Sequence, residues 1–232
     1  MTGEKDTGSA GVREPGFVPL LLLSEKQDIL VVGGGKASEI KVRGLMESGS
    51  RITVVSPAVT DYLKERSSEG SISLISRNFS VSDLDNRTIV IASTSDTDLN
   101  SRIGELCKRK GILFSSVSSW EEGDFIIPAN IRKGPLIVSV STSGNFPKFA
   151  GRIRDLVSES INKHAGELLM QMGRLRENAI STLNGSKRSE ALEIIDSMFS
   201  KILTSGADIA TVAREAQAMI DSLNKENGGE EK

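Results

Sequence analysis

A chain of 232 residues with 38% hydrophobic content holds enough apolar material for one substantial core and a second, smaller unit. Its 29 basic and 31 acidic residues give a formal charge of −2, which argues against a general nucleic-acid binder, because contacts along a phosphate backbone need a basic excess. One cysteine, Cys107, and one histidine, His164, allow neither an intramolecular disulfide nor a Cys/His zinc cluster, so the expectation is a site without metal in a reducing cytoplasm.

Residues 1–16 are rich in Gly, Glu, Lys, Asp and Thr with little to bury, and are expected to form a disordered leader. The apolar stretch 17–23 is too short to span a bilayer, contains Pro19 and follows no signal-type region; it is expected to be a short buried strand, with no membrane association. From residue 28, short β-branched runs alternate with amphipathic helices: strand 28–32, helix 36–47, strand 51–55, helix 58–66. Runs 72–75, 88–92 and 112–117 continue the series, and a helix over 97–109 turns Leu99, Ile103, Leu106 and Cys107 inward. This alternation predicts a doubly wound α/β fold, a Rossmann-type parallel sheet over residues 17–117.

After Val117 the rhythm changes. Runs 125–129 and 136–141 are separated by 130–135 and not by a helix, which predicts an antiparallel hairpin within a region spanning 118–160. Beyond Pro147 the chain reads as helical, and 161–232 is expected to be a C-terminal helical region. Phe149, Ile153, Leu156 and Val157 space like one face; Leu168, Leu169, Met172, Leu175 and Ile180 like another. Ala191, Ile194, Ile195, Met198, Ile202 and Leu203 follow, then Ile209, Val212, Ala213, Ala216 and Ile220, with Gly185 and Gly206 as breaks and a frayed tail from Asn224.

The first strand runs directly into Gly33, Gly34, Gly35, Lys36, Ala37 and Ser38, the first two glycines of G-x-G-x-x-G with small Ser38 in the third place. Gly33 allows the tight turn, Gly35 lets backbone approach a diphosphate, and the following helix offers its N-terminus to the charge. The second strand ends at Ser56 and Pro57, where an NAD-specific fold carries an acid for the ribose; Ser56 leaves NAD against NADP open. Arg51 stands at the other end of that strand and reads as a surface charge. The small polar turn Thr94, Ser95 and Asp96 ends another strand at the sheet edge where ligands lie, although Asp96 reads equally well as a helix cap. A short-chain dehydrogenase is excluded because the only tyrosine, Tyr62, has Arg66 and not Lys four positions on. Trp120 and His164 read as a loop-buried tryptophan and a solvated helix histidine.

These residues together resemble a family. Pro19 and Leu20, Val31 to Gly35, then Glu39, Lys41, Val42, Leu45, Gly49 and Val54 to Pro57 are similar to the opening of precorrin-2 dehydrogenases, the siroheme synthase N-terminal module. Ser93 to Asp96 with Asn100 resembles that family's Ala-Thr-Asp-Asp turn and following Asn. Asp124 to Ala129, Gly134 to Leu136 and Ser139 to Pro147 resemble its hairpin and Ser-Thr-x-Gly-x-x-Pro loop. The match covers roughly 18–160 in one order and spacing. It implies NAD-dependent oxidation of precorrin-2 to sirohydrochlorin by a homodimer formed through the segment after the Rossmann domain; some members also insert iron.

The substrate is a polycarboxylate ring, and 132–154 holds Arg132, Lys133, Lys148, Arg152 and Arg154 with no acid, either a substrate site or a solvated basic face. Ser141, Thr142, Ser143, Gly144 and Asn145, with Lys148 and Arg152, are the candidate substrate residues. One departure stands out: the family's proposed acid/base Asp is replaced by Ser118, and a neutral hydroxyl does not accept a proton as a carboxylate does. Asp124 is the candidate replacement, although the resemblance assigns it to the ordinary Asp-Phe-Ile pattern. Iron insertion is therefore in doubt, and a non-catalytic nucleotide or tetrapyrrole carrier or regulator is the alternative reading.

Overall fold

The computed structural model describes the backbone of residues 16–161, 164–205 and 208–227. All but the last residue of the expected leader lies outside them, as does Gly206. The chain divides into two compact units: one runs to Ile127 and includes Ser141–Pro147, and the other comprises Pro128–Val140 and the helices from Lys148 onward.

In the first unit β1 (Asp28–Val32), β2 (Arg51–Val55), β3 (Ser73–Ile75), β4 (Ile89–Ala92) and β5 (Leu113–Ser116) form one parallel sheet in the order β3-β2-β1-β4-β5. Helices α1 (Lys36–Met46), α2 (Asp61–Ser68) and α3 (Thr97–Lys110) connect them. Strand β1 is central, with Val32 level with Val55 on one side and with Ala92 on the other. Strands buried on both faces must be apolar on both. Leu30, Val32, Val90 and Ala92 pack with Ile103, Cys107 and Phe114 on the α3 face, and Ile29, Val31, Val54 and Ile91 with Val42 and Leu63 on the α1 and α2 face. The chain leaves β1 toward β2 and β3 and returns on the far side at β4, so the crevice at the carboxyl ends of β1 and β4 is the switch point where such sheets receive ligands.

Three expectations for this unit are corrected. Residues 17–23 form no strand and are not buried: Val18, Leu20 and Leu21 are 78%, 75% and 77% exposed, because β1 already has β2 and β4 as neighbours and the chain feeding it meets no edge. Helix α2 starts at Asp61 and not at 58, because Thr60 N–H donates to Gly34 O and Ser56 Oγ to Ala58 O, holding the intervening turn out of helix. Thr60 then caps the helix at Leu63 N–H. Finally, 125–128 is not a strand: Phe125 and Ile127 pack against the α1 and α2 face of the core.

The hairpin of the second unit is consequently β6 (Ala129–Lys133) paired antiparallel with β7 (Leu136–Val140), with Lys133 opposite Leu136. Only Gly134 and Pro135 turn the chain, and Gly134 takes the positive φ of 60° that a two-residue hairpin loop with glycine first requires. Helix α4 (Pro147–Ser160) buries Ala150 but leaves Phe149 and Leu156 half or more exposed. Its last turn is capped by Lys133, whose Nζ donates to Ser158 O at 3.2 Å and Ile161 O at 2.9 Å. Helices α5 (Ala165–Thr182), α6 (Gly185–Ser205) and α7 (Ile209–Asn227) enclose one core of Leu168, Met172, Leu175, Ala191, Ile195, Met198, Val212, Ala216 and Ile220. Gly185 breaks the helices at φ 52° as expected. The tail expected to fray from Asn224 is helical through Asn227, because Leu223 is buried in that core and carries the last turns with it. Among the described residues no helix is long and apolar enough to cross a membrane.

Candidate dinucleotide site

The turn after β1 shows why three glycines stand in a row. Gly33 donates to Val55 O at φ 116°, and a Cβ there would lie 2.4 Å from Ser93 O. A Cβ on Gly34 would lie 2.3 Å from Ala58 O and 2.9 Å from Ser56 Oγ, so backbone packs on backbone at both positions. Gly35 is different: its φ of −78° suits any residue, and a Cβ there would meet nothing within 4 Å. It is the N-cap of α1, with no side chain capping the helix, so the first-turn N–H groups and the positive dipole end are open. A diphosphate asks for close backbone approach at an uncapped helix N-terminus, and the open space beside Gly35 satisfies it. Ser38 in the third glycine's place is fully buried, its Oγ 3.5 Å from Ser93 O.

Behind this turn Glu39 is buried between Lys36, at 2.6 Å, and Arg43, at 2.8 Å. Those two cations hold its carboxyl down to about 2. Lys36 keeps an exposed side chain at the first residue of α1, and Ala37 follows it. Ser56 is buried and donates its proton to Ala58 O at 2.7 Å, leaving its oxygen only as an acceptor, while Pro57 is exposed. Arg51 pairs with Asp28 at 2.7 Å, at the amino end of the sheet, in keeping with a surface charge remote from a cofactor phosphate.

At the end of β4 the hydroxyl of Ser93 is buried without a hydrogen-bond partner among the described residues. Ser95 is exposed, and Asp96 caps α3 by accepting from Leu99 N–H at 2.9 Å. Thr94 is tied to Asn100, a fully buried residue that the resemblance includes without assigning it a role; its amide oxygen accepts from Thr94 N–H and Thr94 Oγ1, and its amide nitrogen donates to Thr94 O. The second amide proton reaches Ser118 Oγ at 3.2 Å, so the turns after β4 and β5 are joined through one side chain. No sequence period marks Asn100; the signal is its place in the resemblance, as the Asn that follows the turn ending at Asp96.

Asp124 is not brought to this group. Its carboxylate accepts from Phe114 N–H in the middle of β5. The thiol of Cys107 is pushed up to about 11 by burial, so it is no nucleophile near neutral pH. Among the described residues no group of three or more His, Cys, Asp or Glu could hold a metal ion.

The loop Ser141, Thr142, Ser143, Gly144 and Asn145 belongs to the same unit and is closed tightly. Asn145 N–H donates to Thr142 O, Phe146 N–H to Thr142 Oγ1 and Ser143 N–H to Ser141 Oγ, with Ser143 and Gly144 at φ 52° and 80°. Half-buried Trp120 lies on Gly144, where a Cβ would come within 2.8 Å of the indole, and Phe17 lies 5.9 Å from the Trp120 ring. Lys148 and Arg152 are exposed on α4, whereas Lys133 is spent on the α4 cap and Arg154 on Asp155 at 2.6 Å. His164 precedes α5, with Nδ1 at 3.7 Å from Glu167.

Residues 20–129 match the family model described as putative NAD(P)-binding. The siroheme synthase of Enterobacter sp. (strain 638) is 33% identical over 165 residues, covering 71% of this chain and 36% of that protein. The siroheme synthase of Thioalkalivibrio sulfidiphilus (strain HL-EbGR7) is 31% identical over 217 residues, 93% of this chain and 44% of that protein. The chain thus spans less than half the length of these relatives. Among solved structures, one titled SirC, precorrin-2 dehydrogenase, has the same fold, with a TM-score of 0.67 at 23% identity over 89% of this chain and 100% of that one. With residues 20–129 matching the NAD(P)-binding family model and siroheme synthases 33% and 31% identical over 71% and 93% of its length, the chain belongs to the siroheme synthase N-terminal module family.

Proposed function

We propose that this chain is an NAD-dependent precorrin-2 dehydrogenase that oxidises precorrin-2 to sirohydrochlorin. The observation that carries the reading is the Gly33–Gly35 turn, which leaves an uncapped helix N-terminus and open space beside Gly35 at the switch point of the sheet. The siroheme synthase relatives and the structure titled precorrin-2 dehydrogenase support the substrate.

The residues divide the work. The backbone from Gly33 to Ser38 grips the diphosphate; Lys36 lies beside it, and Ser56 and Pro57 flank the ribose. Thr94 and Ser95 border the nicotinamide half, and Asp96 fixes the helix below it. Bound NAD supplies the hydride acceptor. The loop from Ser141 to Asn145, with Lys148 and Arg152, receives substrate carboxylates. Ser118 stays neutral, so the proton released leaves to water or to a substrate carboxylate. We further propose a homodimer through 118–160, in the cytoplasm.

Mixing the protein with precorrin-2 and NAD and following sirohydrochlorin absorbance tests the reading. Turnover with NAD supports it; none with either NAD or NADP rejects it in favour of a non-catalytic binder.

A further inference from the structure

The hydrogen bonds around Ser118 assign its proton once the cost of leaving a buried donor unused is included. Asn100 is oriented unambiguously, because a backbone N–H only donates: the atom that accepts from Thr94 N–H at 3.3 Å must be the amide oxygen. Its NH2 therefore faces the other way, giving one proton to Thr94 O at 3.1 Å and the second to Ser118 Oγ at 3.2 Å. Ser118 is thus an acceptor toward Asn100.

Its other neighbour is Ser116 Oγ, at 3.0 Å. Ser116 is 4% exposed and already accepts from Ser119 N–H at 3.3 Å. Its own proton has Ser118 Oγ as its hydroxyl partner, and a buried donor left unused costs about 1–3 kcal/mol. Ser116 therefore donates and Ser118 accepts twice. Both lone pairs of Ser118 are filled from inside the protein, while the residue itself is exposed at the carboxyl end of β5.

We infer that Ser118 is an outward-pointing hydrogen-bond donor for an acceptor oxygen of the bound ligand, and that Asn100 is the positioning residue that keeps its proton turned out. A proton acceptor at this place is excluded by the same assignment, since no lone pair is left to take a proton. The acceptor oxygen has two sources, the carboxamide of the dinucleotide or a carboxylate of the macrocycle. The inference rests on the dehydrogenase reading for the identity of the ligand only.

Calorimetric titration of wild type and Ser118→Ala with NAD and with uroporphyrin, a stable polycarboxylate macrocycle, tests it. A loss of about tenfold in one of the two affinities is expected, the amount one hydrogen bond supplies; the arm affected names the oxygen. Equal affinities for both ligands overturn the inference while leaving the dehydrogenase reading intact. A wild type that binds neither ligand overturns both.

Asn100→Asp gives a second readout that a merely structural role would not move. The introduced carboxylate replaces a donor with an acceptor and draws the Ser118 proton inward. The same affinity should fall at about pH 8 and recover toward about pH 5 as that group protonates. The dependence should vanish in the Ser118→Ala background; its persistence there overturns the positioning role.

Discussion

Asp124 brackets Phe114: its carboxylate accepts from Phe114 N–H at 2.9 Å, and its own N–H donates to Phe114 O at 2.8 Å. Strand β5 is the last strand of its sheet, with β4 on one side only, so these two bonds satisfy an edge residue that no neighbouring strand serves. Asp124→Asn keeps an acceptor oxygen and should leave turnover and melting temperature close to wild type. Asp124→Ala should cost about 0.5–1.5 kcal/mol of stability in a denaturant titration. A large fall in kcat for Asp124→Asn, with stability unchanged, would return Asp124 to the chemistry.

Gly35 separates binding from folding. Because open space surrounds its Cβ position and its φ is ordinary, Gly35→Leu should melt within a few degrees of wild type. Its side chain would fill the approach to the α1 N-terminus, and NAD affinity should fall at least about tenfold, seen as loss of the ligand-induced thermal shift. Gly33→Leu should instead fail to fold well, since its Cβ would meet Ser93 O at 2.4 Å. Unchanged affinity in a well-folded Gly35→Leu protein would rule out diphosphate binding at this turn.

Glu39 makes stability depend on pH in a stated direction. Lys36 and Arg43 lower its carboxyl from 4.5 to about 2 in the folded protein, so the unfolded chain takes up the proton first as pH falls. Its contribution is complete above pH 4.5 and disappears between there and about pH 2. The melting temperature of wild type should exceed that of Glu39→Gln at neutral pH, and the gap should close across this window. A gap that stays constant with pH would show that the pairing with Lys36 and Arg43 is not what holds Glu39.

The only tryptophan reports on the Ser141–Asn145 turn. Gly144→Ala combines a φ of 80° with a Cβ 2.8 Å from the Trp120 ring, so the indole must move. Its emission should shift to the red as it gains solvent, with a loss of about 1–3 kcal/mol in stability. NAD affinity should be retained, because the diphosphate turn is not touched. An unshifted spectrum would show that the loop adapts without displacing the ring.

The sequence by itself determined the α/β order, the parallel sheet and the dinucleotide turn. Runs such as 29–32 are apolar at every position because both faces of a central strand are buried, and a glycine run between such a strand and a helix has few other uses. It also marked the α5–α7 faces, whose 3.6-residue spacing is local. Tertiary structure alone decided where apolar segments go when they have no periodicity. Residues 17–23 are as hydrophobic as a strand yet exposed, for want of an edge, and Phe125 and Ile127 pack partly buried against the core while the polar run at β6 takes the pairing. It also decided the roles of polar side chains: Asp124 went to an edge N–H, Lys133 to a helix end, and Asn100 to the junction between two turns. A hydrogen bond is directional and spans only a few ångströms, so its partner is set by how distant segments meet, which no pattern along the chain encodes.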